Sequence, residues 1–366
     1  MMQNLMRVRT RIVCTLALAP WLALPIRASA QPAPPLKVAF VYVTPVGQAG
    51  WTYQHDLGRR EMERALGDAV KTTVVEDVAE GPDGERVMRD LARQGHQLIF
   101  ATSFGYLDGA LRVAAEFPDV RIEHAGGYKT APNLNTYNVR AYEARWLAGR
   151  LAALNSKSGV AGYVAGFPVP EVVQGINAFA LGMRSINPTA SVRVVWLNTW
   201  FDPTRERDAA LALINQGADV LANHTASPAV ATAAEDKGVK LIANQSDMRA
   251  FAPHAQLAAV MPSWGGYYTQ VARDVIAGRW KPTPVWGGVA SGMVDLGALD
   301  PALPASRRGV VDESRTALVN HRATIFAAPL LDNQGRTRLA TGSLDDPQIA
   351  SMDWLVQGVV GTMPSH

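Results

Sequence analysis

The chain has 366 residues, of which 48% are apolar and 18% charged. That balance supports a large core, fits two domains of ordinary size and excludes an intrinsically disordered chain. The formal charge is +3, but Arg7, Arg9, Arg11 and Arg27 all stand in the first thirty residues with no acid beside them. Subtracting these four leaves −1, which removes any electrostatic case for nucleic acid or an anionic membrane surface as partner.

Residues 1–30 read as a cleaved signal peptide. Arg7, Arg9 and Arg11 form a positive segment, Ile12 to Leu24 is mostly apolar, and Ala28-Ser29-Ala30 is a small-residue cleavage site before Gln31. The apolar run is short for a membrane span, and no later stretch reaches ~20 apolar residues. The single cysteine, Cys14, lies in this leader, so disulfides and thiolate chemistry are not expected of the mature chain. Arg11-Ile12-Val13 before it do not form a lipid-attachment signal. The expectation is a free periplasmic protein without a lipid anchor.

In chain order, 37–43 is a first strand, too continuously apolar for a one-sided sheet and typical of parallel strands covered on both faces. A Pro/Gly loop spans 44–50 and Trp51-Thr52-Tyr53-Gln54 continues it, before a helix carrying Leu57, Met62 and Leu66. Strands are expected over 72–75, 97–102 and 120–123, with helices over 83–93 and 107–116. A helix over 143–154 starts the second half. The alternation predicts an α/β fold with doubly wound, mostly parallel sheets flanked by helices.

From residue 158 the pattern begins again at an offset of 122. Val38 falls on Val160, Ala39 on Ala161, and Gln94-Gly95 on Gln216-Gly217. This internal repeat predicts two like lobes. Lobe one takes 37–140 plus about 250–290; lobe two takes 142–248 plus about 291–360, with the chain crossing between them three times. Strands are expected at 242–244 and 258–261, a helix over 265–277, a Gly-broken extended stretch over 285–296, a hairpin at 326–331 and 337–340, and a closing helix over 346–359.

Ligands of open α/β sheets bind beyond the carboxyl ends of the strands. The loops that meet this rule are 44–54, 76–82 and 103–106 in lobe one, and 166–176, 199–204 and 225–228 in lobe two. Trp200 ends the apolar run Val194 to Leu197 beside an Asp202-Pro203 turn. It is the expected aromatic plate of lobe two, opposed by Trp51 or Tyr53 of lobe one.

The motifs along the mature chain resemble the basic-membrane-protein family of ABC-transporter solute receptors, which includes purine nucleoside receptors. The residues that carry this are Ser158 to Gly166, Pro168 to Glu171, Ala178 to Met183, Asn187-Pro188, Gln216 to Val220, Trp200 to Pro203 and Met352 to Val359. The resemblance implies a two-lobe, first-class periplasmic-binding fold, a base stacked between aromatics of the two lobes, and an inner-membrane ABC permease as partner. It makes Asp247 the match of an acid that holds sugar hydroxyls in nucleoside receptors. Asn244-Gln245-Ser246 and Trp51 to Gln54 depart from the nucleoside pattern, so a purine base such as adenine fits better than a nucleoside.

A flat purine is held by stacking and told apart by hydrogen bonds at its rim. Thr52, Gln54, Ser103, Asn223 and Asp247 are the expected polar contacts, with Phe104 and Trp264 as further aromatics and Tyr106 at the cleft or in the core. Trp146, Trp196, Trp280, Trp286 and Trp354 read as packing. No cofactor or metal is expected: the seven histidines show no metal-ligand spacing, and no nucleophile elbow or phosphate loop appears. The expectation is a monomeric receptor without catalysis. A purine-processing hydrolase, and a receptor for a sugar or an amino acid, are the alternatives.

Overall fold

In the computed structural model, which describes residues 34–364, the first apolar run forms β1 (Leu36–Val41). The expected leader lies outside the described residues. The first lobe continues with α1 (Trp51–Leu66), β2 (Val70–Val75), α2 (Pro82–Arg93), β3 (Leu98–Ala101), α3 (Leu107–Glu116), β4 (Arg121–Ala125) and β5 (Leu134–Val139). The second is built from α4 (Ala141–Asn155), β6 (Val160–Ala165), α5 (Pro170–Ile186), β7 (Ser191–Trp196), α6 (Pro203–Asn215), β8 (Val220–His224), α7 (Ala229–Lys237), β9 (Lys240–Asn244) and β10 (Gln256–Pro262). Then come α8 (Gly265–Ile276), β11 (Val285–Gly287), β12 (Val294–Gly297), α9 (Ala305–Val319), β13 (Leu330–Leu331), β14 (Thr337–Leu339), α10 (Asp346–Ala350) and β15 (Val359–Val360).

Two sheets result. One has the order β11-β5-β4-β3-β1-β2, the other β12-β10-β9-β8-β6-β7-β15. Within these two sheets every pairing is parallel except β10 with β12, and β13 pairs antiparallel with β14. The shared order β4-β3-β1-β2 and β9-β8-β6-β7 is the repeat made visible. The offset of 122 lands each of these strands within three residues of its counterpart. Buried Val38, Phe40, Leu98 and Phe100 cover one face of the first sheet, and Ala39, Val41, Ile99 and Ala101 the other. Alternate residues of a strand point to opposite faces, so an unbroken apolar run needs cover on both.

Among the described residues the chain passes between the sheets three times, at β5 to α4, β10 to α8 and β11 to β12. The stretch 250–290 therefore does not belong wholly to lobe one. Strand β10 pairs with β9 of the second sheet, and only α8, which packs on α1, and β11 return to the first. A sequence shows where a strand is, not which neighbour takes its edge.

Three other local expectations change. Trp51 to Gln54 is the first turn of α1 rather than loop. Strand β5 and helix α9 carry too little apolar periodicity to stand out. The closing helix stops after α10, which has a capping box between Asp345 and Gln348. Beyond it, Asn177 of α5 donates from Nδ2 to the Trp354 carbonyl at 2.7 Å and accepts from the Val356 amide at 2.8 Å. These bonds hold Trp354 to Val356 in a non-helical course, and after a turn at Gln357-Gly358 β15 adds to β7.

Candidate functional site

A cavity of about 600 Å³ including open solvent lies between the lobes, beyond the carboxyl ends of the strands of both sheets. Lobe one lines it from the loops after β1 and β3, from the end of β4 and from the start of α1; lobe two from the ends of β8 and β9, the loop after β7 and the start of α5.

Trp51 and Trp200 face it from opposite lobes. The Trp51 indole donates to the Thr102 carbonyl at 2.6 Å. Its ring meets His55 edge-on at 4.3 Å, and His55 stacks on Trp264 at 4.7 Å and bonds to the Tyr268 hydroxyl. This buried aromatic layer fixes the orientation of the indole, as interlocked aromatic pairs do. Trp200 lies over Gly166 at the end of β6, where a Cβ would stand 2.8 Å from the indole, and Phe167 packs edge-on to it at 4.9 Å. Its carbonyl accepts from the Ala226 amide at 2.9 Å, which ties two cavity loops together. Buried Glu206 of α6 strengthens that tie, accepting from Thr225 Oγ1 at 2.8 Å, Ser227 Oγ at 2.7 Å and the Asp202 amide at 3.2 Å.

The polar end of the cavity is formed by Glu171, His224, Asn244 and Gln245. Glu171 stands in the first turn of α5, where the helix dipole favours a carboxylate. Asn138 of the other lobe donates from Nδ2 to Glu171 Oε2 at 3.1 Å. Glu171 Oε1 lies 3.9 Å from His224 Nε2, too far for a bond between them. Burial raises the Glu171 carboxyl above the usual range, against the Asn138 bond and the charge of Arg145. Burial, with Arg145 adding to it, drives His224 down to about 3, so its imidazole is neutral.

Arg145 of α4 is 1% exposed beneath this group. It donates to the Asn223 carbonyl at 2.8 Å and to Asn244 Oδ1. His224 Nδ1 and Gln245 Oε1 are buried without a partner among the described residues. Gln245 also holds φ at +64°, an uncommon conformation for a side-chain-bearing residue that turns the chain sharply after β9.

Of the residues expected from sequence, Trp51, Ser103, Phe104 and Trp200 line the cavity. Ser103 does so with its hydroxyl already donated to Glu80 Oε1 at 2.6 Å. Tyr53 does not line it: two positions on from Trp51 in a helix, it turns about 200° away. Thr52 is buried against Thr44 at 2.6 Å, and Gln54 donates to the Pro262 carbonyl at 2.8 Å. Asn223 turns its side chain to Thr225, and strand alternation puts its neighbour His224 at the cavity instead. Asp247 is carried off by the turn at Gln245 and pairs with Arg249, with Gln256 donating to it at 3.0 Å. Trp264 is 1% exposed and backs Trp51 from behind His55. Tyr106 is core, its hydroxyl donating to the Val78 carbonyl at 2.5 Å.

Glu171 and His224 were not among the expected contacts. Glu171 lay inside the loop 166–176 that the repeat marked as facing the cleft, and His224 was one residue from Asn223. Neither position can be chosen within its loop without the side-chain direction.

The profile of the Bmp family, described as ABC transporter substrate-binding protein PnrA-like, matches residues 36–318. The chain belongs to this family. It is 46% identical over 330 residues to a purine-binding protein of Brucella abortus (strain 2308), covering 90% of this chain and 94% of that one. A putative ABC transporter glucose-binding protein of Haloferax volcanii is 35% identical over 330 residues, covering 90% and 82%. Among solved structures, a solute-binding protein of Aeropyrum pernix K1 aligns with a TM-score of 0.68 at 19% identity, over 81% of this chain and 94% of that one. One from Conexibacter woesei aligns with a TM-score of 0.65 at 21% identity, over 79% and 97%. These likenesses extend the two-lobe substrate-binding fold of the Bmp family to this chain. Among the described residues, no helix is long and apolar enough to cross a membrane.

Proposed function

We propose that this Bmp-family protein captures a purine carrying an amino group beside a ring nitrogen, an adenine-like base, between Trp51 and Trp200. The observation that carries the reading is the pair Glu171 Oε1 and His224 Nε2, 3.9 Å apart at the cavity wall. Among the described residues, Glu171 Oε1 meets no hydrogen-bond donor. A carboxylate facing Nε2 favours the neutral tautomer with its proton there. The two atoms then present an acceptor and a donor side by side. An amino N–H next to a ring nitrogen offers the complement, a donor and an acceptor. A 6-oxo purine offers two acceptors on its O6/N7 edge, which leaves the Glu171 oxygen facing another acceptor at a cost of about 1–3 kcal/mol in a dry site; it matches the pair only turned over, with N1–H on Glu171 and O6 on His224. The identity to a relative named purine-binding supports the same class.

The relative named as glucose-binding favours a second reading, a hexose receptor. The free buried polar atoms argue against it: a hexose needs partners around its whole rim, and here they gather at one end between aromatic walls. In the proposed role the protein is a periplasmic monomer that closes on its ligand, releases it unchanged and presents the closed form to an inner-membrane ABC permease. Closure is driven by the ligand's greater affinity for the closed state.

Calorimetry on refolded mature protein tests this against adenine, guanine, hypoxanthine, adenosine, glucose and amino acids, with chromatography of the recovered ligand. Saturable binding of unaltered adenine, tighter than of hypoxanthine, is expected. Binding of glucose in place of any purine, or conversion of the purine, refutes the reading.

A further inference from the structure

A second, larger space adjoins the cavity. It is a groove of about 1730 Å³ including open solvent, bounded by both lobes and by α10. Phe104, Gly126 and Glu171 line both spaces, so the two adjoin at these three residues. The groove therefore opens at the residue assigned to the amino group of the base.

Its walls are largely apolar, with Tyr128, Pro170, Pro284, Trp286 and Pro347 among them. Three of its polar side chains are already committed to protein. Asn138 donates to Glu171 and accepts from the Val139 amide at 2.7 Å. Gln174 donates to the Ile349 carbonyl at 2.7 Å, and Ser351 donates to the Pro347 carbonyl at 2.8 Å. A sugar placed there would find few free partners for its hydroxyls, whereas aromatic and proline surfaces suit a hydrocarbon. Tyr128, 66% exposed, leaves ring surface available at the mouth.

We infer that this groove receives an apolar alkyl or aryl substituent carried on the amino nitrogen of the purine, and that the protein takes N6-substituted adenines as well as the bare base. The inference rests on the purine reading above. A secondary amine keeps one N–H for Glu171 Oε1, and its other bond leads out past Phe104 and Gly126. Burial of a ring against these walls then adds to affinity in proportion to the apolar area covered.

The test is calorimetry of adenine, N6-benzyladenine and adenosine on the refolded mature chain and on Ala350→Trp, which places an indole in the groove from an exposed position of α10. N6-benzyladenine is expected to bind the wild type at least about fivefold tighter than adenine. Ala350→Trp is expected to abolish that gain and to leave adenine unchanged. An affinity for N6-benzyladenine equal to or below that for adenine overturns the inference, as does a gain that survives Ala350→Trp. A gain shown by adenosine alone and lost in Ala350→Trp also overturns it, because the groove then holds a sugar. Failure of every purine to bind sinks the underlying reading instead.

Discussion

The backbone amide of Gly50 donates to Ser246 Oγ at 2.7 Å, joining the loop before α1 in one lobe to the turn after β9 in the other. Gly50 holds φ at +93°, and a Cβ there would stand 2.4 Å from the Ala226 carbonyl oxygen. Only glycine allows the two backbones this close. Gly50→Ala is therefore expected to obstruct closure, weakening adenine binding at least about tenfold, or ~1.4 kcal/mol. Small-angle scattering with and without adenine checks it. A variant that still compacts with ligand removes Gly50 from the closing contact.

Trp51 and Trp200 are expected to contribute comparably, since each supplies one face. Alanine at either should weaken adenine binding by about 1–3 kcal/mol, the range for loss of one stacking partner. Tyr53→Ala, outside the cavity, should leave binding within about twofold. Titrations of the three variants decide which residue is the second plate. Equal losses at Trp51 and Tyr53, or none at Trp200, contradict the assignment.

Glu171→Gln replaces a charged acceptor with an amide that also carries donors. Adenine is expected to lose about tenfold in affinity, and hypoxanthine to gain, because the amide N–H can face its oxygen. The ratio of the two dissociation constants is the measurement. An unchanged ratio means that Glu171 does not read this edge of the base.

Glu123 on β4 accepts from Tyr267 Oη at 2.6 Å, Trp280 Nε1 at 2.7 Å and Asn135 Nδ2 at 3.1 Å. Burial outweighs these bonds and raises its carboxyl from 4.5 to about 7. The folded state thus holds a proton that the unfolded chain releases over this interval. The contribution to stability is fully present below pH 4.5 and is lost as pH rises through 7, on the order of 3 kcal/mol in all. Urea unfolding between pH 5 and 8 should therefore show a steeper decline in wild type than in Glu123→Gln. Parallel curves would show that Glu123 titrates alike in both states.

Much of this architecture is legible in the residue order. Continuous apolar strands such as 38–41 report cover on both faces, and the offset of 122 reports two lobes of one topology. Trp200, at the end of a strand and before a capping Asp-Pro turn, is legible for the same reason: loops at the carboxyl ends of strands meet at one edge. Asp202 does cap α6, accepting from the Arg205 amide at 3.0 Å. Strand β5 is illegible because Asn135, Thr136 and Asn138 hide its period, and its place in the sheet comes from pairing with β4 and β11.

Within the site, the sequence by itself determined that aromatics stand in loops facing the cleft: 44–54, 103–106, 166–176, 199–204 and 225–228 line the cavity as expected, while 76–82 supplies no lining residue. The tertiary structure decided which side chain in each loop reaches the cavity. Trp51 does and Tyr53 does not, because the loop turned out to be a helix with 3.6 residues per turn. His224 does and Asn223 does not, because a strand alternates. Glu171, in the first turn of α5, meets Asn138 of the other lobe and the charge of buried Arg145 of α4. A local pattern fixes a residue's own backbone; its partners from distant segments are set only when the lobes pack.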